Sequence, residues 1–212
     1  MKKLVIVDYG MGNLQSVKNA LSSLGQACEI SSDINTISNA DAYMLPGVGA
    51  FPKAMKNLEK QNLIQVLTEN VLKKKKPFLG ICLGMQLIAS HSDEFGGHEG
   101  LGWIPAKVIA LNPESGIKVP HVGWNDLTIL RPGPILKNIE NGSNFYFDHS
   151  FHFVCDEKYI GAMCGYGKPL VACVQNENIF GAQFHPEKSQ TAGLKFLRNF
   201  LNVVDQCLKK DS

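Results

Sequence analysis

Phe78-Leu79-Gly80-Ile81-Cys82-Leu83-Gly84-Met85-Gln86 runs from an apolar strand through a tight turn into a helix, with Gly80 and Gly84 two residues either side of Cys82. G-x-C-x-G is the thiol version of the nucleophile elbow, a strained strand-to-helix turn that lifts a reactive side chain to the carboxyl edge of a sheet. Glycines at the flanking positions keep neighbouring side chains from blocking the sulfur. The helix that follows aims its N-terminus at the thiol and favours the thiolate, which is the attacking species. The Leu83 amide then points to where a tetrahedral oxyanion would form. A small buried cysteine in a glycine-flanked turn has the same local pattern, so the elbow acquires chemical meaning only with a base beside it.

The segments upstream describe the sheet that such a turn would cap. Leu4-Val5-Ile6-Val7 is a continuous apolar run, as expected of a strand covered on both faces. A helix with Leu14, Val17, Leu21 and Leu24 on one stripe follows, closed by Gly25. Short strands are expected at Ala27–Ile30 and at Ala42–Leu45, the latter ending in Pro46-Gly47-Val48-Gly49, and one long helix from about Lys53 to Lys75. The βαβα order implies a parallel sheet with helices on both faces. From about Gly96 to Val174 the character changes. Short β-rich pieces (Ala106–Ala110, Asn144–Phe147, Phe151–Cys155, Leu170–Val174) alternate with Gly, Pro and Asn turns, predicting antiparallel strands at one side of the sheet. A last strand at Asn178–Phe184 and a closing helix at Ser189–Val204 complete the chain. The expectation is an α/β fold, flavodoxin-like, with a mostly parallel sheet flanked by helices and added antiparallel strands, forming one domain over residues 1–212.

Composition excludes several classes. Hydrophobic residues make up 44 % of the chain and charged residues 19 %, which argues against a disordered protein. A net charge of +2 is too balanced to argue for nucleic acid or an anionic membrane. The run Lys73-Lys74-Lys75-Lys76 reads as a solvated helix C-terminus. None of the six cysteines forms a C-x-x-C pair or zinc-ligand spacing, and the apolar run near the N-terminus is too short for a signal peptide or span. Free thiols in a reducing cytoplasm are expected.

A thiolate nucleophile needs a histidine. His185 follows the apolar strand Ile179-Phe180-Gly181-Ala182-Gln183-Phe184 and sits in His185-Pro186-Glu187. Proline holds His185 extended, and residues two apart in extended chain project to one side, so Glu187 can orient the imidazole. Cys82, His185 and Glu187 thus form a candidate relay from opposite ends of the chain. Asp148-His149-x-x-His152 could suggest a metal, but a strand would put the two rings on opposite faces, and no metal is expected. His91, His98 and His121 show no chemical constellation. Asp8-Tyr9-Gly10-Met11-Gly12-Asn13 resembles a dinucleotide-binding turn, yet the third glycine of that fingerprint would fall at Gln15. A tight turn beside the sheet edge is the better reading.

The segments Gly80-Ile81-Cys82-Leu83-Gly84-Met85-Gln86 and Gln183-Phe184-His185-Pro186-Glu187-Lys188-Ser189 together resemble class I glutamine amidotransferases, across essentially the whole chain. Asp8–Asn13, Pro46–Gly49, Pro120-His121-Val122-Gly123-Trp124-Asn125 and Asn178–Gly181 narrow the likeness to glutaminase subunits that serve histidine biosynthesis. The resemblance implies a cofactor-free enzyme whose triad is Cys82, His185 and Glu187. It implies an oxyanion hole from the Gly47–Val48 peptide and the Leu83 amide, completed by reorientation when a partner binds its ligand. Gln86, Ser150 and the Phe151 backbone would hold L-glutamine. Trp124, Asn125, Tyr146 and Lys188 would face a cyclase/synthase subunit, a (β/α)₈ barrel, in a heterodimer. The chain departs from that family's pattern at Asp148, where a small apolar residue is usual, and at Phe151, where tyrosine is usual. Three rivals stay open on sequence: a paralogous glutaminase feeding another acceptor such as a sugar amidotransferase, a cysteine hydrolase without glutamine specificity, and a flavodoxin-like binding module with an inert thiol.

Overall fold

The computed structural model describes residues 2–113 and 116–210. In chain order the first half contains β1 (Leu4–Val7), α1 (Leu14–Ser23), β2 (Glu29–Ser31), α2 (Ile34–Ser38), β3 (Ala42–Gly47), α3 (Phe51–Lys60), α4 (Leu63–Thr68), β4 (Phe78–Cys82) and α5 (Leu83–Leu87). The second half adds β5 (Ala89–Ser92), β6 (His98–Glu99), β7 (Ile104–Ala110), β8 (His121–Ile129), β9 (Asn144–His149), β10 (Phe151–Cys155), β11 (Ile160–Tyr166), β12 (Lys168–Asn176), β13 (Ile179–Ala182) and α6 (Gln190–Lys210).

Among the described residues nine strands form one sheet in the order β2-β1-β3-β4-β13-β12-β11-β8-β9. The half from β2 to β13 is parallel and the half from β13 to β9 antiparallel. The 2-1-3-4 beginning is the flavodoxin-like order, in which ligands sit beyond the carboxyl ends of the strands. Alternation along β1 explains its unbroken apolar run: Leu4 and Ile6 face the α1/α6 side with Leu21 and Phe200, while Val5 and Val7 face the α3–α5 side with Phe51 and Leu58. Among the described residues no helix is long and apolar enough to cross a membrane.

Three expectations are corrected. The antiparallel pieces do not all extend the main sheet, because β7 and β10 belong to a separate four-stranded sheet, β10-β7-β5-β6, packed over α5. The long helix from Lys53 to Lys75 is broken: Asn62 takes a left-handed φ of 57°, ending α3 and starting α4, and residues Glu69–Lys73 widen into a π-turn. The closing helix runs on to Lys210 instead of stopping near Val204. The lysine run finds partners locally. Lys73 pairs with Glu69 at 2.6 Å, Lys75 with Glu177 at 2.8 Å, and Lys76 donates to the Ser38 carbonyl at 3.0 Å.

At the end of β4 the backbone turns sharply. Cys82 has φ 53° and ψ −111°, a conformation an L side chain adopts only under strain, of about 1–3 kcal/mol. The flanking glycines serve packing: a Cβ on Gly84 would lie 1.6 Å from the Leu45 carbonyl oxygen, and one on Gly80 2.5 Å from that of Gly84. They let α5 press directly onto the backbones of β3 and β4. Glycine is the one residue for which the Cys82 conformation is unstrained. Cys82→Gly is therefore expected to be more stable than Cys82→Ala by about 1 kcal/mol, the reverse of the usual ordering within regular structure. Urea midpoints of the two variants measure the difference.

Candidate active site

Parallel pairing brings the ends of β3, β4 and β13 to one edge. Gly47 lies opposite Cys82, and Ala182 opposite Ile81, so the chain leaving β13 carries Gln183 and His185 past the sulfur. His185 Nδ1 meets Glu187 Oε1 at 2.8 Å, with both side chains buried. The geometry differs from the expected extended dipeptide: Pro186–Lys188 form one 3₁₀ turn, and that turn swings the carboxylate under the ring. The turn is anchored to β9, where His185 N–H donates to the Tyr146 carbonyl at 2.8 Å and Ser189 Oγ accepts from the Tyr146 amide at 3.0 Å.

Burial alone would depress the His185 imidazole. The Cys82 sulfur and the Glu187 carboxylate on either side of it more than offset that, and the pKa is raised well above the usual histidine range. The ring thus lies between the sulfur and the carboxylate, although Nε2 makes no hydrogen bond of ordinary geometry among the described residues. Cys82 Sγ lies 3.7 Å from the Asp148 carbonyl and receives the Gln183 amide at 3.8 Å.

The sulfur opens into a cleft of about 290 Å³ lined by Val48, Leu83, Gln86, Glu94, Ser150 and Phe151 among others. That is the lower end of the range for small-molecule sites, roughly 300–1,000 Å³, and suits an amino-acid-sized ligand. Gln86, Ser150 and Phe151 all border it, as do Val48 and Leu83. Gly47 stands beside it at the end of β3. The first turn backs onto this strand: a Cβ on Gly12 would come within 3.2 Å of Gly47 Cα and Pro46 O, so Gly10-Met11-Gly12 is a packing turn against the strand that leads to Val48. Trp124 and Tyr146 are opposite each other on β8 and β9, with rings edge-to-face at 6.0 Å, and Lys188 Nζ sits 5.2 Å over the Tyr146 ring. Trp124 is 47 % exposed, so the three form an open aromatic–cationic patch. Asn125 does not share that face. Strand alternation turns it the other way, where its amide donates to the Gly165 carbonyl at 2.9 Å.

The Glutamine amidotransferase class-I family matches residues 5–204. The chain belongs to the class I glutamine amidotransferase family. Within it the kinship lies with HisH: the chain is 49 % identical over 203 residues to imidazole glycerol phosphate synthase subunit HisH 2 of Vibrio vulnificus, covering 95 % of each. It is 46 % identical over 206 residues to the HisH subunit of Aquifex aeolicus, covering 96 % of this chain and 98 % of that one. The fold also matches the crystal structure of a putative GMP synthase subunit from Thermoplasma acidophilum, with a TM-score of 0.76 at 19 % identity over 100 % of this chain and 98 % of that one.

Several residues around this amidotransferase cleft escape a sequence reading. Gln183 is the plainest: it shares the two-residue period of Gly181 and His185 and is the polar residue in an apolar strand, a signal that was available. Glu94 gives none. It comes from the β5–β6 connection, is buried in the cleft wall, and accepts the Phe51 amide at the start of α3 at 2.8 Å. Tyr9 is buried with its hydroxyl unpartnered among the described residues, and a Cβ on Gly47 would fall 2.1 Å from that oxygen. His121 and His149 lie opposite each other on β8 and β9, with His121 Nδ1 and His149 Nε2 3.0 Å apart, and neither is near any metal-binding cluster among the described residues.

Burial lowers His121 to about 4; burial, with His121, His152 and His185 nearby, lowers His149 to about 3, against a bond to the Phe151 carbonyl that works the other way. Both folded values lie below the ordinary 6.5, so the unfolded chain binds more protons between pH 6.5 and the folded values. Stability is fully present above about pH 6.5 and falls as the pH drops through that window. From pH 6.5 to pH 5 the expected loss is on the order of 1–2 kcal/mol per imidazole. Denaturant unfolding at the two pH values measures it, and His121→Asn should flatten the slope.

Proposed function

We propose that the chain hydrolyses L-glutamine to glutamate and ammonia at Cys82, as the ammonia-donating subunit of an imidazole glycerol phosphate synthase. What supports the reading is a Cys82 sulfur that opens into a cleft of amino-acid size, with the His185–Glu187 pair close enough behind it for the sulfur to raise the imidazole. The Cys82 thiolate attacks the δ-carbon of glutamine, and the oxyanion rests on the Leu83 and Val48 amides. His185, carrying the proton, gives it to the departing nitrogen, and ammonia leaves as the Cδ–N bond breaks. The γ-glutamyl thioester is then attacked by water, whose proton passes to His185. The C–S bond breaks, glutamate is released and the thiolate returns. Glu187 keeps the ring oriented and balances its charge. Glu94, buried in the cleft wall, is the carboxylate suited to the substrate's α-ammonium group, while Gln86, Ser150 and the Phe151 backbone hold the rest.

Ammonia is a nucleophile only while unprotonated, so a partner docked over the cleft uses it best. The patch of Trp124, Tyr146 and Lys188 suits a cyclase subunit of (β/α)₈ form, and residues from both sheets border one cleft, as in a single working domain. The oxyanion hole at Gly47–Val48 is completed only on partner binding, which leaves the isolated subunit nearly inactive.

His185→Asn should lower glutaminase turnover of the assembled enzyme at least a hundredfold; turnover at the parental rate would exclude His185 as the proton carrier. Trp124→Ala should weaken association with the cyclase subunit about tenfold, the loss of one aromatic anchor. Titration calorimetry reads it, and an unchanged Kd would move the docking face elsewhere.

A further inference from the structure

Resting on the glutaminase reading, we propose that His121 and His149 are positioning residues for glutamine: they form a proton-ordered relay that runs from Asn125 to the Phe151 carbonyl and sets the wall of the cleft. The order of donors follows from both ends independently. At one end Asn125 Oδ1 accepts the Asp126 amide at 2.8 Å, so the group facing the Gly165 carbonyl at 2.9 Å and His121 Nε2 at 3.2 Å is the NH₂, which donates to both. His121 Nε2 is then an acceptor, and its proton sits on Nδ1, 3.0 Å from His149 Nε2. At the other end His149 Nδ1 is 2.8 Å from the Phe151 carbonyl, which only accepts, so His149 also carries its proton on Nδ1 and accepts at Nε2. The two derivations agree, and every ring nitrogen of the pair has one role.

The setting holds this single arrangement. His121 and His149 are 2 % and 6 % exposed, and His121 is stacked between Phe147 at 4.8 Å and Tyr166 at 3.9 Å. A proton added to either ring would replace an acceptor by a donor and set two N–H groups against each other. At the cleft end the relay meets the binding groups. The Phe151 carbonyl also accepts from Gln86 Nε2 at 2.9 Å, the same NH₂ donates to Gln183 Oε1 at 3.1 Å, and Gln183 Nε2 points at Cys82 Sγ at 3.8 Å. Both amide protons of Gln86 are therefore used within the protein, and its carbonyl oxygen is what it can offer a ligand. The Phe151 carbonyl orients that amide, and His149 holds the carbonyl. Neither histidine touches the reacting atoms in this scheme, so their loss acts on binding before it acts on chemistry.

The test is alkylation of Cys82, in the enzyme assembled with its cyclase subunit, by a diazoketone analogue of glutamine, read as its half-saturation constant and its limiting rate, with iodoacetamide reporting thiol reactivity independent of the cleft. His121→Phe keeps the aromatic stack and removes both hydrogen bonds; the half-saturation constant is expected to rise tenfold or more while the limiting rate and the iodoacetamide rate change less than threefold. His121→Asn, which keeps a donor at the Nδ1 position, should recover most of the loss. If His121→Phe does not fold, His149→Phe carries the test: it removes the donor to the Phe151 carbonyl and should raise the same constant. Parental half-saturation in a folded His121→Phe or His149→Phe enzyme overturns the relay and leaves the glutaminase reading standing. If the assembled parent enzyme shows no saturable labelling of Cys82, the glutaminase reading fails and the relay proposal with it.

Discussion

The parallel pairing of β4 between β3 and β13 is the constraint on which the site depends. The register sets Gly47 beside Cys82 on one flank, and Gly80 and Ile81 beside Gly181 and Ala182 on the other. Three segments far apart in sequence thereby end at one edge, with no loop long enough to blur their relative positions. A slip of a single residue would send alternate side chains to the opposite face. These strands are apolar on both faces, so hydrophobicity alone does not oppose such a slip; the close approach of α5 does, because a Cβ in place of Gly80, Gly84 or Gly181 would come within 2.7 Å of α5 or β3.

That close approach has a conformational cost concentrated at Cys82. A positive φ at a non-glycine residue persists only where surrounding structure over-determines it. Here the surroundings are a buried strand before it, a helix pressed onto β3 after it, and the sulfur's own contacts with Asp148 and Gln183. The strain and the exposure of the thiol to the cleft are two aspects of one turn: relaxing the backbone would carry the sulfur away from His185.

Sequence legibility follows the range of the interactions. The elbow was readable because it is local, a nine-residue pattern in which both glycines are required by backbone contacts. His185 and Glu187 were readable as neighbours two residues apart, although a 3₁₀ turn, and not extended chain, brings them together. The second sheet was not readable, since nothing in Ala106–Ala110 or Phe151–Cys155 distinguishes an added edge strand from a separate layer. Glu94 was invisible for the same reason, because its place in the cleft depends on how that layer sits over α5. In sequence His121 shows no constellation, and His149 reads only as half of a His-x-x-His pair with His152. The meaning of His121 and His149 lies in the β8–β9 register, which makes them cross-strand partners, and no local pattern encodes a pairing across the intervening loop.

Strand β9 connects the outer surface to the chemistry through its alternation. Phe145, Phe147 and His149 turn inward to the core and the histidine pair, while Tyr146 and Asp148 turn outward on the face that carries Trp124. The backbone of the same outward residues does internal service: the Tyr146 carbonyl holds the His185 amide, and the Asp148 carbonyl lies against the Cys82 sulfur. A protein bound across Trp124 and Tyr146 therefore bears on the backbone that positions the base and borders the nucleophile, with no need for a relay of side chains to report its arrival. The same geometry gives Asp148 two parts. Its carbonyl would lie against the sulfur with any residue at that position, whereas its carboxylate, on a residue that also borders the cleft, stands opposite Val122 and adds a charge to the exposed face.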